Sequence, residues 1–175
     1  EMGILCEMNE EWRRSNLSAF SEIVSFAMKR KKGERIFVHG AVFEPDERFM
    51  EQTVGPNSCV SFGRIIIDFL EICHRNDNVI ELRVIDAKAS DNIKAYHVVQ
   101  VSFYAHVLSC LLLDQNISGP LRDVGCQVEV SPIGGVWLPG GGFPDLLNYE
   151  SFSIDIIMPA LKEFLSERLA QKLQQ

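Results

Sequence analysis

Two apolar runs constrain this chain more than anything else in it. CVSFGRIIIDFLEICHR (59–75) and VIELRVIDAKA (79–89) are rich in β-branched residues and are separated by Asn76, Asp77 and Asn78, residues that favour tight turns. A β-hairpin is expected. Its first strand is apolar on both faces around Asp68, as in the centre of a sheet, where an unpartnered carboxylate is expensive to desolvate. With a turn made of Asn76, Asp77 and Asn78, Asp68 falls opposite Asp86. Directly opposed residues share a face, with Cβ atoms about 5 Å apart. Alternation along the strand puts Lys88 on that face too. Two acids held so close repel unless a cation joins them, and their oxygens suit Mg²⁺ or Mn²⁺. A lysine beside them can neutralise charge, orient a water or stabilise a developing anion.

The segment that follows, SDNIKAYHVVQVSFYAHVLSCLLL (90–113), has a Ser/Asp start and apolar residues at Ile93, Val99, Phe103, Val107 and Leu111, so it is expected to be a helix. Gln100 and Tyr104 are four apart and stack on one helical face with His97, Phe103 and Val107. A helix starting directly after the Asp86–Lys88 strand can fold back over the hairpin and bring both polar groups to the acids.

Elsewhere the pattern is mixed α/β. SNLSAFSEIVSFAMKRKKG (15–33) reads as an amphipathic helix with basic residues in its last turn and Gly33 as a stop. ERIFVHGAVF (34–43) reads as a strand. Residues 44–58 and 116–123 read as loops. The stretch 125–145 supplies one short strand or two and then a Gly/Pro loop. That loop, LPGGGFPD, lacks the lysine and helix context of a phosphate-binding loop. Residues 151–175 read as a closing amphipathic helix with Pro159 near its start.

A chain of 175 residues with 46% hydrophobic and 23% charged residues is of the size and composition of one globular domain, 1–175. The longest apolar stretch, 98–113, is interrupted by Gln100, Ser102, His106 and Ser109, so a buried helix is expected and no membrane partner. Five widely spaced cysteines without a C-x-x-C pair are expected to be free thiols in a reducing, intracellular compartment. The first residue is Glu1, which suggests a piece of a longer protein. With 24 acids against 17 bases the net charge of −7 repels polyanions on average. Nucleic-acid contact would need a local patch, and KRKK (29–32) with Arg13 and Arg14 is the dense basic candidate; a solvated helix end explains the same run.

The order G-x-x-x-x-D (GRIIID, 63–68), hairpin, apolar-D-x-K (VIDAKAS) and Q-x-x-x-Y (QVSFY) resembles the RecB-like branch of the PD-(D/E)xK nuclease superfamily. The resemblance spans 62–112, with the first helix and strand fitting more loosely. It implies a restriction-endonuclease-like fold, a mixed central β-sheet flanked by α-helices. It implies Asp68, Asp86 and the Ala87 carbonyl as ligands to Mg²⁺ or Mn²⁺, Lys88 as the group that positions or activates water, and Gln100 with Tyr104 as the supporting, substrate-contacting pair. An earlier acid or histidine completes such sites; Glu22 is the first candidate, with His39 and Glu44 behind it. Members with an iron–sulfur cluster carry three cysteines after the core; here only Cys126 follows the helix containing Cys110, so no cluster is expected. His97 is a candidate substrate or metal contact, whereas His74 and His106 read as structural.

The expected activity is metal-dependent hydrolysis of phosphodiester bonds, with DNA favoured over RNA and single strands or ends favoured. The alternatives are an inactive nuclease-fold module that binds nucleic acid or scaffolds a helicase domain or partner chain, and an RNA endonuclease of the same superfamily.

Overall fold

The structure, a computed structural model, describes residues 4–7, 14–55, 60–75, 77–139 and 149–173. Asn76, Cys59, Arg13 and most of LPGGGFPD lie outside them. The strands are β1 (Ile4–Glu7), β2 (Arg35–Phe43), β3 (Ile65–His74), β4 (Val79–Ala87), β5 (Gln127–Val130), β6 (Ile133–Trp137) and β7 (Glu150–Ser153). The helices are α1 (Asn16–Met28), α2 (Glu47–Thr53), α3 (Ala95–Leu112), α4 (Gln115–Asp123), α5 (Met158–Glu163) and, after a π-helical turn (Phe164–Arg168), α6 (Leu169–Leu173). Together they form an α/β fold: a mixed seven-stranded sheet ordered β1-β2-β3-β4-β6-β7, with β5 also paired to β4, flanked by helices. This is the fold class the sequence implies.

The hairpin is as expected. β3 runs antiparallel to β2 on one side and to β4 on the other, so it is central. Its register with β4 pairs Phe69 with Ile85, Leu70 with Val84 and Glu71 with Arg83. The turn closes with Arg75 N–H donating to Val79 O at 2.7 Å, and Asn78 takes φ +61°, a left-handed conformation that asparagine tolerates well.

α1 buries Ala19, Phe20, Ile23, Val24 and Ala27, the i, i+3/i+4 stripe of a helix against a sheet, and Phe20 packs on Phe43 with ring centroids 4.9 Å apart. Ser15 caps it by accepting from Ser18 N–H at 3.1 Å. The helix ends at Met28, so the basic residues 29–32 lie beyond its last turn.

α3 is long and apolar enough to cross a membrane by length and composition alone, yet its second half is buried on nearly every side, with Val107, Leu108, Cys110 and Leu111 in the common core. Successive glycines set its seat. A Cβ on Gly134 would lie 2.5 Å from Val101 Cγ1 of α3, and one on Gly135 would lie 2.4 Å from the Tyr149 ring. Both are sub-contact distances, so only glycine lets the helix down onto β6 from one face and the tyrosine from the other.

Several elements differ from the sequence expectation. Residues 44–58 hold a helix, α2, because Asp46 Oδ1 accepts from Phe49 N–H at 2.7 Å and Glu47 occupies the positive first turn. Residues 116–123 belong to α4 in spite of Gly119 and Pro120: Asp114 caps it, and Ile117 and Leu121 are buried. α3 starts at Ala95, not at Ser90 or Asp91, and its cap comes from within, through His97. Residues 150–153 form β7 on β6, so the closing helix begins only at Met158. β1, parallel to β2, is a further strand that the sequence pattern does not announce.

Candidate active site

Continued one pair beyond Phe69 and Ile85, the β3–β4 register sets Asp68 across from Asp86. On the β2 side Asp68 lies abreast of Gly40, between the pairs His39–Phe69 and Ala41–Ile67; Gly40 takes φ +67°, a conformation open to glycine without strain. The Asp68 carboxylate accepts from the Ala87 backbone N–H at 2.9 Å, which ties the acid to the end of β4. Asp86 is 2% exposed. Lys88 Nζ donates to its Oδ1 at 2.9 Å and sits 2.8 Å from Oδ2, where the bond is out of alignment and Oδ2 keeps no hydrogen bond. Lys88 is itself fixed by its backbone N–H, which donates to Trp137 O at 3.0 Å.

Burial pushes the Asp86 carboxyl up to about 6, the Lys88 hydrogen bond pulls against that, and contact with Asp68 and its charge push it further up. Burial pulls Lys88 down, but its hydrogen bond to Asp86 and the charges of Asp86, Asp68 and Tyr104 prevail and raise it. The three residues are therefore one electrostatic unit, as the strand alternation implied, with two acids for one cation.

α3 supplies the next layer. Gln100 Nε2 donates to Tyr104 Oη at 3.0 Å. Tyr104 lies within electrostatic reach of Lys88, so the helix does fold back over the hairpin. His97 is completely buried; its Nδ1 accepts from the Lys94 backbone N–H at 3.1 Å, so the neutral ring carries its proton on Nε2, which has no partner. Burial and the charges of Lys88 and Lys94 lower its pKa.

The earlier acid is a different matter. Glu22 is exposed on the flank of α1 away from the buried stripe, and the charged neighbours that act on Asp86 are Lys88 and Asp68. His39 is exposed against the Phe69 ring, 5.4 Å between centroids, and Glu44 pairs with Arg64 at 3.2 Å. His74 is buried at the far end of β3, and His106 sits in the core between Thr53 and Cys110. Among the described residues no three His, Cys, Asp or Glu side chains converge. Two carboxylates and a backbone carbonyl are nevertheless the donor types that Mg²⁺ takes, since it keeps several waters and needs only one or two carboxylates. The hydrogen-bond-free Oδ2 of Asp86 and the repulsion between the acids fit such an ion.

No family model, curated protein or solved structure matches this chain.

Sequence reasoning missed a second cluster on the opposite face of the same hairpin. Glu71, 4% exposed, accepts from Arg35 and from Tyr149 and pairs with Arg83 at 3.5 Å, while Arg83 Nη1 donates to Tyr149 Oη at 2.6 Å. The register that pairs Asp68 with Asp86 also pairs Glu71 with Arg83, and that signal was in the sequence. The basic run 29–32 lies elsewhere: Gly33 N–H donates to His74 O at 2.8 Å, at the end of β3 about 20 Å from Asp68 by strand rise.

Proposed function

We propose that the chain is a divalent-metal-dependent nuclease that hydrolyses phosphodiester bonds, DNA in preference to RNA, with single strands or ends favoured. The observation that carries this reading is the acid pair. Asp86 is buried, opposed to Asp68 and raised to about 6, and such a pair is costly unless a cation completes it. Asp68, Asp86 and the Ala87 carbonyl would hold Mg²⁺ or Mn²⁺. When bound, the ion supplies Lewis-acid stabilisation of a phosphoryl oxygen and acidifies water.

The chain's own groups have distinct tasks. Lys88, its pKa raised, stays charged at neutral pH and serves as a hydrogen-bond donor to water or to negative charge developing on phosphate, not as a base. Tyr104, held by Gln100, offers a hydroxyl within electrostatic reach of Lys88 that can orient the same oxygen. Asp68, anchored on the Ala87 N–H, keeps its orientation without competing for the lysine. The unpaired thiols of Cys6, Cys73, Cys110 and Cys126 support a reducing, intracellular setting.

The test is cleavage of labelled single-stranded DNA, duplex DNA and RNA with Mg²⁺, Mn²⁺ or chelator. Metal-dependent cutting that is lost in Asp86→Ala is expected; cutting that survives in both Asp86→Ala and Lys88→Ala rejects the reading. The separation of the basic run from the acids favours a second reading, a nucleic-acid-binding or scaffolding module that works with a helicase domain or partner chain. Metal-independent binding without cleavage would select it, and cleavage confined to RNA would select the RNA endonuclease.

A further inference from the structure

The first turn of α3 carries an aromatic ring that the fold does not use. Tyr96 is 58% exposed, and Val99 beside it on the helix is 43% exposed, although the stripe that seats α3 starts with His97 and Val101, both fully buried. The ring is nevertheless held. It meets the His97 ring edge-on, with centroids 4.2 Å apart and planes at 79°, and His97 is itself fixed by the Lys94 N–H and by complete burial. Lys94 Nζ lies 6.0 Å from the Tyr96 centroid, so a cation accompanies the exposed ring.

Its position points at the acids. Tyr96, Gln100 and Tyr104 succeed one another at four-residue steps and so form one line along the helix, about 12 Å from first to last. The inner end of the line, Tyr104, is within electrostatic reach of Lys88 and the outer end, Tyr96, is in solvent. An exposed, oriented aromatic ring with a flanking cation is the combination that receives a base together with its phosphate. Bases of a duplex are already stacked on one another, so only an unpaired base has a free face to offer.

We infer that Tyr96 is a stacking platform for an unpaired base of a single-stranded nucleic acid whose backbone continues along α3 to the Asp68–Asp86–Lys88 cluster. The inference rests on the nuclease reading and narrows it to single-stranded substrate. Lys94 takes the adjoining phosphate, and the buried His97 keeps the ring from turning.

Fluorescence anisotropy in chelator, where cleavage is blocked, tests it with labelled oligo(dT), a single-stranded RNA of equal length and a blunt duplex. Tyr96→Ala is expected to weaken single-strand binding about 5- to 150-fold, to leave duplex binding unchanged, and to be rescued by Tyr96→Trp, with melting temperatures equal throughout. Loss on DNA and RNA alike is expected, since every base has a π-face. If wild type binds single strands and Tyr96→Ala binds them within twofold, or loses duplex binding equally, the platform is overturned while the nuclease reading stands. If wild type binds none of the three and cuts none with metal, both fall together.

Discussion

The β3–β4 hairpin carries two buried charge clusters, one on each face, and they are built to opposite rules. On one face a single carboxylate, Glu71, is shared by Arg35, Arg83 and the hydroxyl of Tyr149, and Arg83 also reaches Glu81 at 3.1 Å. On the other face two carboxylates face one lysine, which pairs with Asp86 while Asp68 is held by the Ala87 N–H, and Asp86 Oδ2 is left without a hydrogen bond. The first cluster has more donors than it needs and behaves as a clasp, drawing Tyr149 and β2 onto the hairpin. The second has an excess of negative charge, so it has capacity for a ligand. Burial of charge alone says little about role; the balance between donors and acceptors says more.

The strongest test of the contrast exchanges the two roles. Lys88→Ala should lower metal-dependent cleavage by about 10²-fold or more at unchanged fold, as judged by near-UV circular dichroism, because it removes the donor that meets developing charge. Glu71→Ala should instead leave the specific activity of the folded fraction near wild type while lowering unfolding free energy in urea by about 3 kcal/mol, since two half-buried guanidinium groups lose their common partner. Were Glu71→Ala to abolish cleavage with stability intact, the clasp would belong to the site and the comparison would fail.

A finer test uses pH. The Asp86 carboxyl is raised in the folded chain from an ordinary 3.8 to about 6. A raised acid binds its proton more tightly when folded, so its contribution to stability is full below about 4 and is lost as pH rises through 6. A rise of that size corresponds to roughly 3 kcal/mol. Asp86→Asn has no such loss, so its stability relative to wild type should climb between about pH 4 and 6.5 in urea titrations. A relative stability that falls over that window would mean the lysine more than satisfies Asp86 and that both clusters are clasps. The smallest effect belongs to Tyr104→Phe, which removes the Gln100 hydrogen bond: about 1 kcal/mol in stability, with a larger change in kcat than in KM if the hydroxyl meets the transition state.

Much of this site was readable because β-pairing follows a simple rule. Once Asn76–Asp77–Asn78 is taken as a turn, the position of every residue across the hairpin is fixed, and alternation does the rest for Lys88. Helical spacing likewise joined Gln100 to Tyr104. What escaped depended on partners distant in sequence or on side chains acting as caps. α2 and α4 are short and polar, begin on Asp46 and Asp114, and are confirmed only by what Phe49, Ile117 and Leu121 touch. Glu71 and Arg83 could have been paired, but Tyr149 arrives from 66 residues beyond Arg83, and no local pattern announces it. The earlier acid proposed at Glu22 rested on chain order alone, and the exposed flank of α1 gives it no partner in the cluster.

The adjacent glycines of β6 have a mechanical consequence. At Gly134 and Gly135 the molecule is one backbone thick: Val101 rests on one surface and the Tyr149 ring on the other, with no side chain between them to absorb a displacement. A push on Tyr149 from its side would therefore be delivered to α3, the helix that bears Gln100 and Tyr104, across a single strand. The clasp and the helix of Gln100 and Tyr104 are neighbours across a single strand, and a load applied to one is felt in the alignment of the other.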